Sequence, residues 1–251
     1  MASIIRKPTL MRILLLSFIL FISCQPQKKE LTAQQIVDKS ILASGTDKVS
    51  NSEITFEFRD KQYSAVRNNG KFKLIRTFDS IKDVLSNSGF ERFINTKSIK
   101  VVDSIALKYS NSVNSVHYFS VLPYGLNDNA VRKKRLPSST INGKEYYKIE
   151  ITFTENGGGE DFEDVFIYWI GKEDYLIDYL AYSYHTNGGG KRFRVLKEQC
   201  FKNGIRFVDY QNYKPNAENI KLIDIDKAYE KNNLKLVSEI ILRNIEVSII
   251  R

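Results

Sequence analysis

The sequence predicts a mainly β protein with a few helices, built as a single curved antiparallel sheet or as an unclosed β-barrel. Apolar and polar residues alternate with a period of two along several segments, as in strands that bury one face. The pairs Asn69–Gly70, Asn142–Gly143 and Asn203–Gly204 are typical of tight hairpin turns. Apolar residues at helical spacing near the start and in the middle of the chain predict an N-terminal helix and a helical insertion that covers the concave face.

Residues 1–23 have the pattern of a secretory signal peptide. A basic segment precedes an uncharged apolar run, residues 13–22, which is followed by Ser23 and Cys24. The run is shorter than the roughly 20 residues that span a bilayer. The end of the run resembles the bacterial lipobox, with Phe21 where that pattern has Leu. The resemblance implies that Cys24 is acylated and becomes the first mature residue. An ordinary secretory signal with an incidental cysteine is the alternative.

The rest of the chain divides into a tether at residues 24–30 and a single β-rich domain at residues 31–251. Charged residues make up 27% and hydrophobic residues 42% of the chain, which is typical of a globular protein. Two Cys and two His exclude a Cys/His zinc cluster and a disulfide scaffold. Cys200 has no cysteine partner within the mature domain, and we expect it to be a buried free thiol. The net charge of +9 is too modest to predict nucleic-acid binding by a secreted chain.

The domain begins with an amphipathic helix. Thr32 and Gln35 form the capping-box pattern. Ile36 and Ile41 belong to one apolar face, and Gly45 supplies the stop signal.

Strands follow this helix, because the apolar period changes from 3.6 to 2. The segment Val165–Ile170 is continuously apolar and therefore predicts a central strand that is covered on both faces. The predicted strands lie at 54–58, 71–78, 81–85, 89–94, 98–102, 147–154, 165–170, 177–184, 191–198, 205–210 and 236–249.

A helical insertion interrupts the strands. Apolar residues recur every three or four positions from Val102 to Phe119, which predicts a helix. Residues 122–127 end it, and Asp128–Leu136 is expected to form one more short helix that carries four successive basic residues.

Several stretches of the domain resemble a family of bacterial lipoproteins of unknown function. More distantly, the order of elements resembles the periplasmic lipoprotein-carrier fold, which is LolA-like and LppX-like. That resemblance implies an unclosed antiparallel barrel whose mouth is covered by helices and which holds acyl chains. The stretches are FEFRDKQYS (56–64), VNSVHYFSVLPYGLNDNAV (113–131), GGGEDFEDVFIYWI (157–170), IDYLAYSY (177–184), KRFRV (191–195) and GIRFVDYQNY (204–213).

No residue pattern predicts a catalytic, metal or cofactor site. Four acids, Glu160, Asp161, Glu163 and Asp164, would suit Ca²⁺, but their spacing matches no EF-hand, and a solvated hairpin tip is favoured. No Ser-His-Asp order or nucleophile elbow accompanies the two histidines. The glycine runs 157–159 and 188–190 lie between strands with no helix start after them, so they are turns and not phosphate cradles.

Aromatic and basic residues give the candidate ligand site. Aromatic residues on adjacent predicted strands line an apolar trough if they share a face, and are ordinary core if they do not. Basic residues are candidates for binding an anionic head group, with a solvated surface as the alternative. The aromatic candidates are Phe119, Tyr124, Trp169, Tyr179, Tyr182, Phe207 and Tyr210, and the basic candidates are Arg132, Arg135, Arg192 and Arg194.

These patterns favour a lipoprotein of the cell envelope, anchored in the outer membrane and facing the periplasm or the cell surface. We expect it to bind a hydrophobic or amphiphilic ligand, such as a lipid, beneath a lid formed by residues 104–135. One alternative is an envelope hydrolase, in which acids such as Asp161, Asp164, Asp178 or Asp209 converge in a cleft. Another is a structural or assembly lipoprotein, with an exposed apolar patch and no cavity.

Overall fold

Two seven-stranded antiparallel sheets form the framework of the described chain. The structure is a computed structural model, and it describes residues 30–156, 162–185 and 188–251. The strands are β1 (Ser52–Phe58), β2 (Lys61–Asn68), β3 (Lys71–Phe78), β4 (Ile81–Ser86), β5 (Gly89–Ile94), β6 (Lys97–Ile99), β7 (Val131–Ile141), β8 (Lys144–Phe153), β9 (Val165–Gly171), β10 (Ile177–Tyr184), β11 (Gly190–Lys202), β12 (Ile205–Pro215), β13 (Leu234–Ile240) and β14 (Arg243–Ile249). The α-helices are α1 (Ala33–Ala43), α2 (Asp103–Ser120) and α3 (Ile225–Glu230).

The predicted fold class is confirmed, with the strands divided between two sheets. The first sheet has the order β14-β1-β2-β3-β4-β5-β6 and the second has the order β13-β12-β11-β10-β9-β8-β7. Neither sheet closes into a barrel. Strand β9 lies between β8 and β10, and six of its seven residues are buried, which confirms the predicted central strand.

The prediction of a single strand at 236–249 is wrong. The segment forms β13 and β14, which belong to different sheets because β13 pairs with β12 whereas β14 pairs with β1. The chain crosses at residues 241–242, where the Asp209 carboxylate accepts a hydrogen bond from the backbone N–H of Leu242 at 2.9 Å. This crossing ties the two sheets together at one corner.

The short helix predicted at Asp128–Leu136 is also wrong. Val131–Ile141 forms β7, the edge strand of the second sheet, paired with β8. Basic residues there face partners on β8, and Lys134 lies 3.5 Å from Glu150. Pairing with β8 across the Asn142–Gly143 turn thus overrides the local pattern.

Helix α1 has the predicted capping box and stop. The backbone N–H of Gln35 donates to the Thr32 hydroxyl, and the Gln35 side chain accepts from the backbone N–H of Thr32. Gly45 follows the helix with φ of 65°, a left-handed conformation that favours glycine. A Cβ there would overlap the carbonyl oxygen of Gly204, so this glycine permits close packing against the β11–β12 hairpin.

Helix α2 is fixed to the first sheet by apolar packing and by ion pairs. Val113 is fully buried against Ala65 and Leu74. Beneath the helix, the buried Asp83 carboxylate accepts hydrogen bonds from Arg76 and Arg92. Arg76 also donates to the Ser112 hydroxyl of α2 at 2.7 Å, so the ion-pair group is joined to the helix.

Helix α3 covers one face of the second sheet. Ile225 and Ala228 pack in a cluster that includes Trp169. The buried Lys148 Nζ lies 3.0 Å from the Asp226 carboxylate, and the Trp169 indole N–H donates to the same oxygen at 3.0 Å.

Cys200 does not have the environment expected from the sequence. Its side chain is exposed, because β11 residues 197–202 extend beyond the last pair with β10 at Tyr179 and Val195.

Within the described ranges, no helix combines the length and apolarity needed to cross a bilayer.

Candidate functional site

A cavity of about 530 Å³ lies where helix α2 faces the second sheet. One wall is helix α2, another is formed by β9 to β12, and the end of β1 and the β13–β14 crossing complete it. Its volume lies within the range of roughly 300–1,000 Å³ that is typical of small-molecule sites. The lining residues used below are Phe58, Arg59, Tyr118, Phe119, Phe153, Asp164, Phe166, Tyr182, Tyr184, Arg192, Arg194, Tyr210 and Asn212.

Aromatic rings form much of the cavity wall. The ring of Phe119 on α2 lies 5.9 Å from Phe166 and 6.2 Å from Tyr182. Phe166 also contacts Phe153 edge-on at 5.8 Å. The helix and the sheet therefore present one continuous aromatic surface to the cavity, which suits an apolar ligand.

The strand register explains why these side chains share a face. Phe166 lies opposite Tyr182, which lies opposite Arg192, and directly paired residues of neighbouring antiparallel strands project to the same side. A second row consists of Tyr168, Leu180, Arg194 and Asn212, each opposite the next. The two rows give this face a mixture of rings and guanidinium groups.

Positive charge dominates the charged groups of the cavity wall. The lining includes Arg59, Arg192 and Arg194, and Asp164 is its one carboxylate among the described residues. Asp164 lies 3.5 Å from the exposed His185. The Arg194 guanidinium carbon is 4.4 Å from the centre of the Phe119 ring, and that of Arg192 is 5.1 Å from the Tyr184 ring. Cations over aromatic faces are attracted by the ring quadrupole.

Two tyrosines of the cavity wall keep their protons at neutral pH. Burial raises the pKa of Tyr210 to about 12. Burial likewise raises the pKa of Tyr118 far above its ordinary value. Both phenols are therefore neutral at pH 7, and the Tyr118 hydroxyl is itself buried without a hydrogen-bond partner among the described residues.

Five of the eleven predicted ligand residues line this cavity. Phe119, Tyr182 and Tyr210 lie there with Arg192 and Arg194.

The other aromatic candidates lie outside the cavity. Trp169 and Tyr179 pack in the cluster beneath α3, on the opposite face of the second sheet. Phe207 belongs to the cluster that joins β12 to the first sheet, and Tyr124 packs against it. These four side chains are therefore core residues.

The other basic candidates lie on the edge strand β7. Arg132 donates to the carbonyl oxygen of Asn129 at 3.2 Å and borders a separate recess with Asp128. Arg135 lies over the Tyr147 ring at 5.6 Å. Neither residue lines the cavity under α2.

Phe166 and Tyr184 are important lining residues that the sequence prediction missed. Tyr184 is two positions from Tyr182, so period-two spacing on β10 already places both on one face. Phe166 lies in the continuously apolar strand β9, whose sequence does not distinguish its two faces. Phe58 and Phe153 reach the cavity from ends of strands, and nothing in the local sequence marks them.

The acids proposed for a hydrolytic centre have different surroundings. Asp164 lines the cavity, whereas Asp178 accepts hydrogen bonds from Lys144 and Tyr146 at 2.6 and 3.0 Å. Asp209 accepts from the backbone near the sheet crossing. Glu160 and Asp161 lie outside the described residues.

The histidines also have separate settings. His117 belongs to α2, and its side chain is buried beside the rings of Phe56 and Tyr63. Burial and the nearby Arg67 lower its pKa to about 3. In the part of the chain that the structure describes, no group of three His, Cys, Asp or Glu side chains is placed to hold a metal ion.

Together, these features define an unclosed antiparallel β protein with a helix-bordered aromatic cavity. The chain belongs to the family described as "Family of unknown function (DUF6503)", which matches residues 10–241. No curated protein matches the chain.

Solved structures that match this chain come from several bacteria. A DUF1329 family protein from Desulfovibrio piger ATCC 29098 is 11% identical, with a TM-score of 0.51 over 86% of this chain and 93% of that one. A LolA superfamily protein from Nitrosomonas europaea is 12% identical, with a TM-score of 0.46 over 88% and 94% of the two chains. Lipoprotein LppX from Mycobacterium tuberculosis is 11% identical, with a TM-score of 0.28 over 61% and 89%.

Proposed function

We propose that this protein is a lipoprotein of the cell envelope that binds a hydrophobic or amphiphilic ligand in the cavity under α2. The observation that carries the proposal is the cavity itself, about 530 Å³ in volume and walled by aromatic rings from both the helix and the sheet. Helix α2 acts as its lid.

The energetics of such binding require no catalytic arrangement of polar groups. Burying an acyl chain contributes about 0.8 kcal/mol per CH₂ group. Rings of Phe119, Phe153 and Phe166 provide the apolar surface that such a chain would contact. A structural lipoprotein with no ligand would have no need of this surface.

The proposed anchor is Cys24, acylated after removal of residues 1–23. Stable attachment to a membrane takes more than one acyl chain, as lipobox processing would supply. Residues 24–30 would then link the anchor to the β-rich domain in the outer membrane, on the periplasmic or the cell-surface side. Mass spectrometry of the N-terminal peptide from membranes tests this directly. An unmodified Cys24 would refute the anchor.

The ligand proposal is tested by titrating the purified protein with a fluorescent fatty acid whose emission rises in apolar surroundings. The Phe119→Asp variant places a charge on the aromatic wall, and we expect it to weaken binding at least about tenfold, since a charge resists transfer from water.

The matched control is Phe201→Asp, because Phe201 is 51% exposed and does not line the cavity. This control should bind like the wild type. Circular dichroism should show that both variants keep the β fold. Equal affinity of Phe119→Asp and wild type would refute the binding site.

A further inference from the structure

We propose that the cavity selects an anionic amphiphile, whose carboxylate or phosphate group is bound by Arg192 and Arg194. This inference rests on the proposed function and adds the chemical class of the ligand. The two arginines are two positions apart on β11 and lie in adjacent rows of the same face. Their side chains both line the cavity. Arginine guanidinium groups bind carboxylate and phosphate with two parallel hydrogen bonds.

Neither arginine has its hydrogen-bonding capacity filled by the described residues. Arg194 donates one hydrogen bond, from Nη2 to the Tyr182 hydroxyl at 3.3 Å. Its Nε is buried and has no hydrogen-bond partner. Arg192 donates from Nη1 to the carbonyl oxygen of its neighbour Lys191 at 2.9 Å. A guanidinium carries five N–H donors, so both residues keep donors that no described residue satisfies.

The lack of ion pairs distinguishes Arg192 and Arg194 from Arg76 and Arg206. Arg76 lies 2.6 Å from the Asp83 carboxylate, and Arg206 lies 3.3 Å from that of Asp178. Across the described ranges, no ion pair is formed by Arg192 or Arg194. A partly buried guanidinium without an anion is costly. An anionic head group would offset that cost.

The same geometry orients the rest of the ligand. Tyr182 lies between the arginines and the apolar rings, because its hydroxyl accepts a hydrogen bond from Arg194 and its ring faces those of Phe119 and Phe166. A head group at the arginines therefore leaves the apolar chain against Phe119, Phe166 and Phe153. Tyr210 lines the same cavity. Its neutral hydroxyl adds a hydrogen-bond donor that does not repel an anion.

The test compares ligands that share one acyl chain. The purified protein is titrated with 1-oleoyl lysophosphatidate and with 1-oleoylglycerol, which differ only in the phosphate, and with oleate as the carboxylate ligand. We expect both anions to bind about tenfold or more tightly than 1-oleoylglycerol, because hydrogen bonds to charged groups contribute more than neutral ones. Tighter binding of oleate than of lysophosphatidate would identify the ligand class as free fatty acids. The reverse order would identify it as phospholipids.

Variants then assign the effect to the arginines. Arg194→Gln and Arg192→Gln should each weaken binding of the anions by a larger factor than binding of 1-oleoylglycerol. The matched control is Arg135→Gln on β7, which lies outside the cavity. The wild-type comparison of ligands needs no variant, so it stands even if Arg194→Gln fails to fold.

The outcomes separate this inference from the proposed function. Equal affinity for lysophosphatidate, oleate and 1-oleoylglycerol would overturn the anionic preference and leave the ligand site in place. Anion binding that is unchanged in both arginine variants would also overturn it. Failure of all three ligands to bind would refute the proposed function itself.

Discussion

The Asp83→Asn variant should strongly destabilise the protein and loosen helix α2. Asp83 is fully buried between two arginines that are themselves less than 10% exposed. Its carboxylate accepts from Arg76 at 2.6 and 3.2 Å and from Arg92 at 2.6 and 2.9 Å. The substitution removes one buried negative charge and leaves two buried positive charges without compensation.

The expected magnitude follows from the burial of this group. Removing one partner of a buried ion pair costs about 3–5 kcal/mol, since the remaining charge stays out of water. For a domain of this size, each kcal/mol lowers the melting temperature by about 2–4 °C. We therefore expect a decrease of about 6–20 °C. Because Arg76 also bonds Ser112 of α2, the ligand cavity should lose its lid early in unfolding.

Urea unfolding measures this effect. The signals are circular dichroism and the fluorescence of Trp169, the one tryptophan of the chain. The matched control is Asp79→Asn, the same chemical change at an exposed turn of the same hairpin, which should stay within about 0.5 kcal/mol of wild type. A loss below about 1 kcal/mol for Asp83→Asn would refute the ion-pair clamp.

Four further predictions concern other parts of the fold. The pKa of His117 is about 3 in the folded protein, whereas its ordinary value is 6.5. Between these two pH values the unfolded chain therefore binds a proton at His117 that the folded chain does not bind. The contribution of His117 to the free energy of unfolding is therefore complete above pH 6.5 and should be lost as the pH drops from about 6.5 to 3. His117→Gln should flatten this dependence in urea titrations, and an unchanged dependence would contradict the buried position of His117. Cys200 should react fully with a thiol reagent in the native protein, and the rate should rise with pH as the thiolate forms. Burial of part of the side chain raises the pKa of Cys200, which moves this rise to higher pH than for an ordinary thiol. A thiol that reacts only in denaturant would contradict the exposed position. Gly45→Ala should cost more than about 1 kcal/mol in urea unfolding, owing to its positive φ and the nearby Gly204 oxygen, and wild-type stability would contradict that packing. Trp169→Phe should lower stability but leave ligand affinity unchanged, since Trp169 packs beneath α3; weaker ligand binding by the folded variant would show that Trp169 does belong to the site.

Local signals predicted most of the elements. The capping box at Thr32, the stop at Gly45 and the helix from Asp103 to Ser120 each depend on residues a few positions apart. Hairpins such as the one at Asn69–Gly70 depend on the turn itself, where both residues have positive φ. Such features are encoded over short distances and can be read from the sequence.

Strand pairing could not always be read in this way. The edge strand β7 pairs with its hairpin neighbour β8, although Asp128–Leu136 was predicted to form a short helix. Likewise, the sequence of β13 and β14 is typical of one long strand. In the structure, β13 pairs with β12 and β14 pairs with β1, so the two belong to different sheets. The choice of partner depends on the whole fold.

The sequence placed only some of the candidate residues around one cavity, and strand alternation explains why the others lie elsewhere. Tyr179 and Tyr182 are three positions apart on β10, so they must project to opposite faces of the sheet. The same spacing separates Phe207 from Tyr210 on β12. Period-two alternation therefore excluded a trough that contains all four residues. The contact of Phe119 with Phe166 remained hidden, because it joins a helix to a strand 47 positions along the chain.

The most direct test of the ligand site is native mass spectrometry of residues 25–251, purified gently without added lipid, with solvent extraction of any molecule that co-purifies. We predict one bound amphiphile per protein chain, which is released when the protein unfolds. A folded protein that carries no ligand, and that takes up neither oleate nor 1-oleoyl lysophosphatidate when they are added, would contradict the assignment of the cavity under α2 as a binding site.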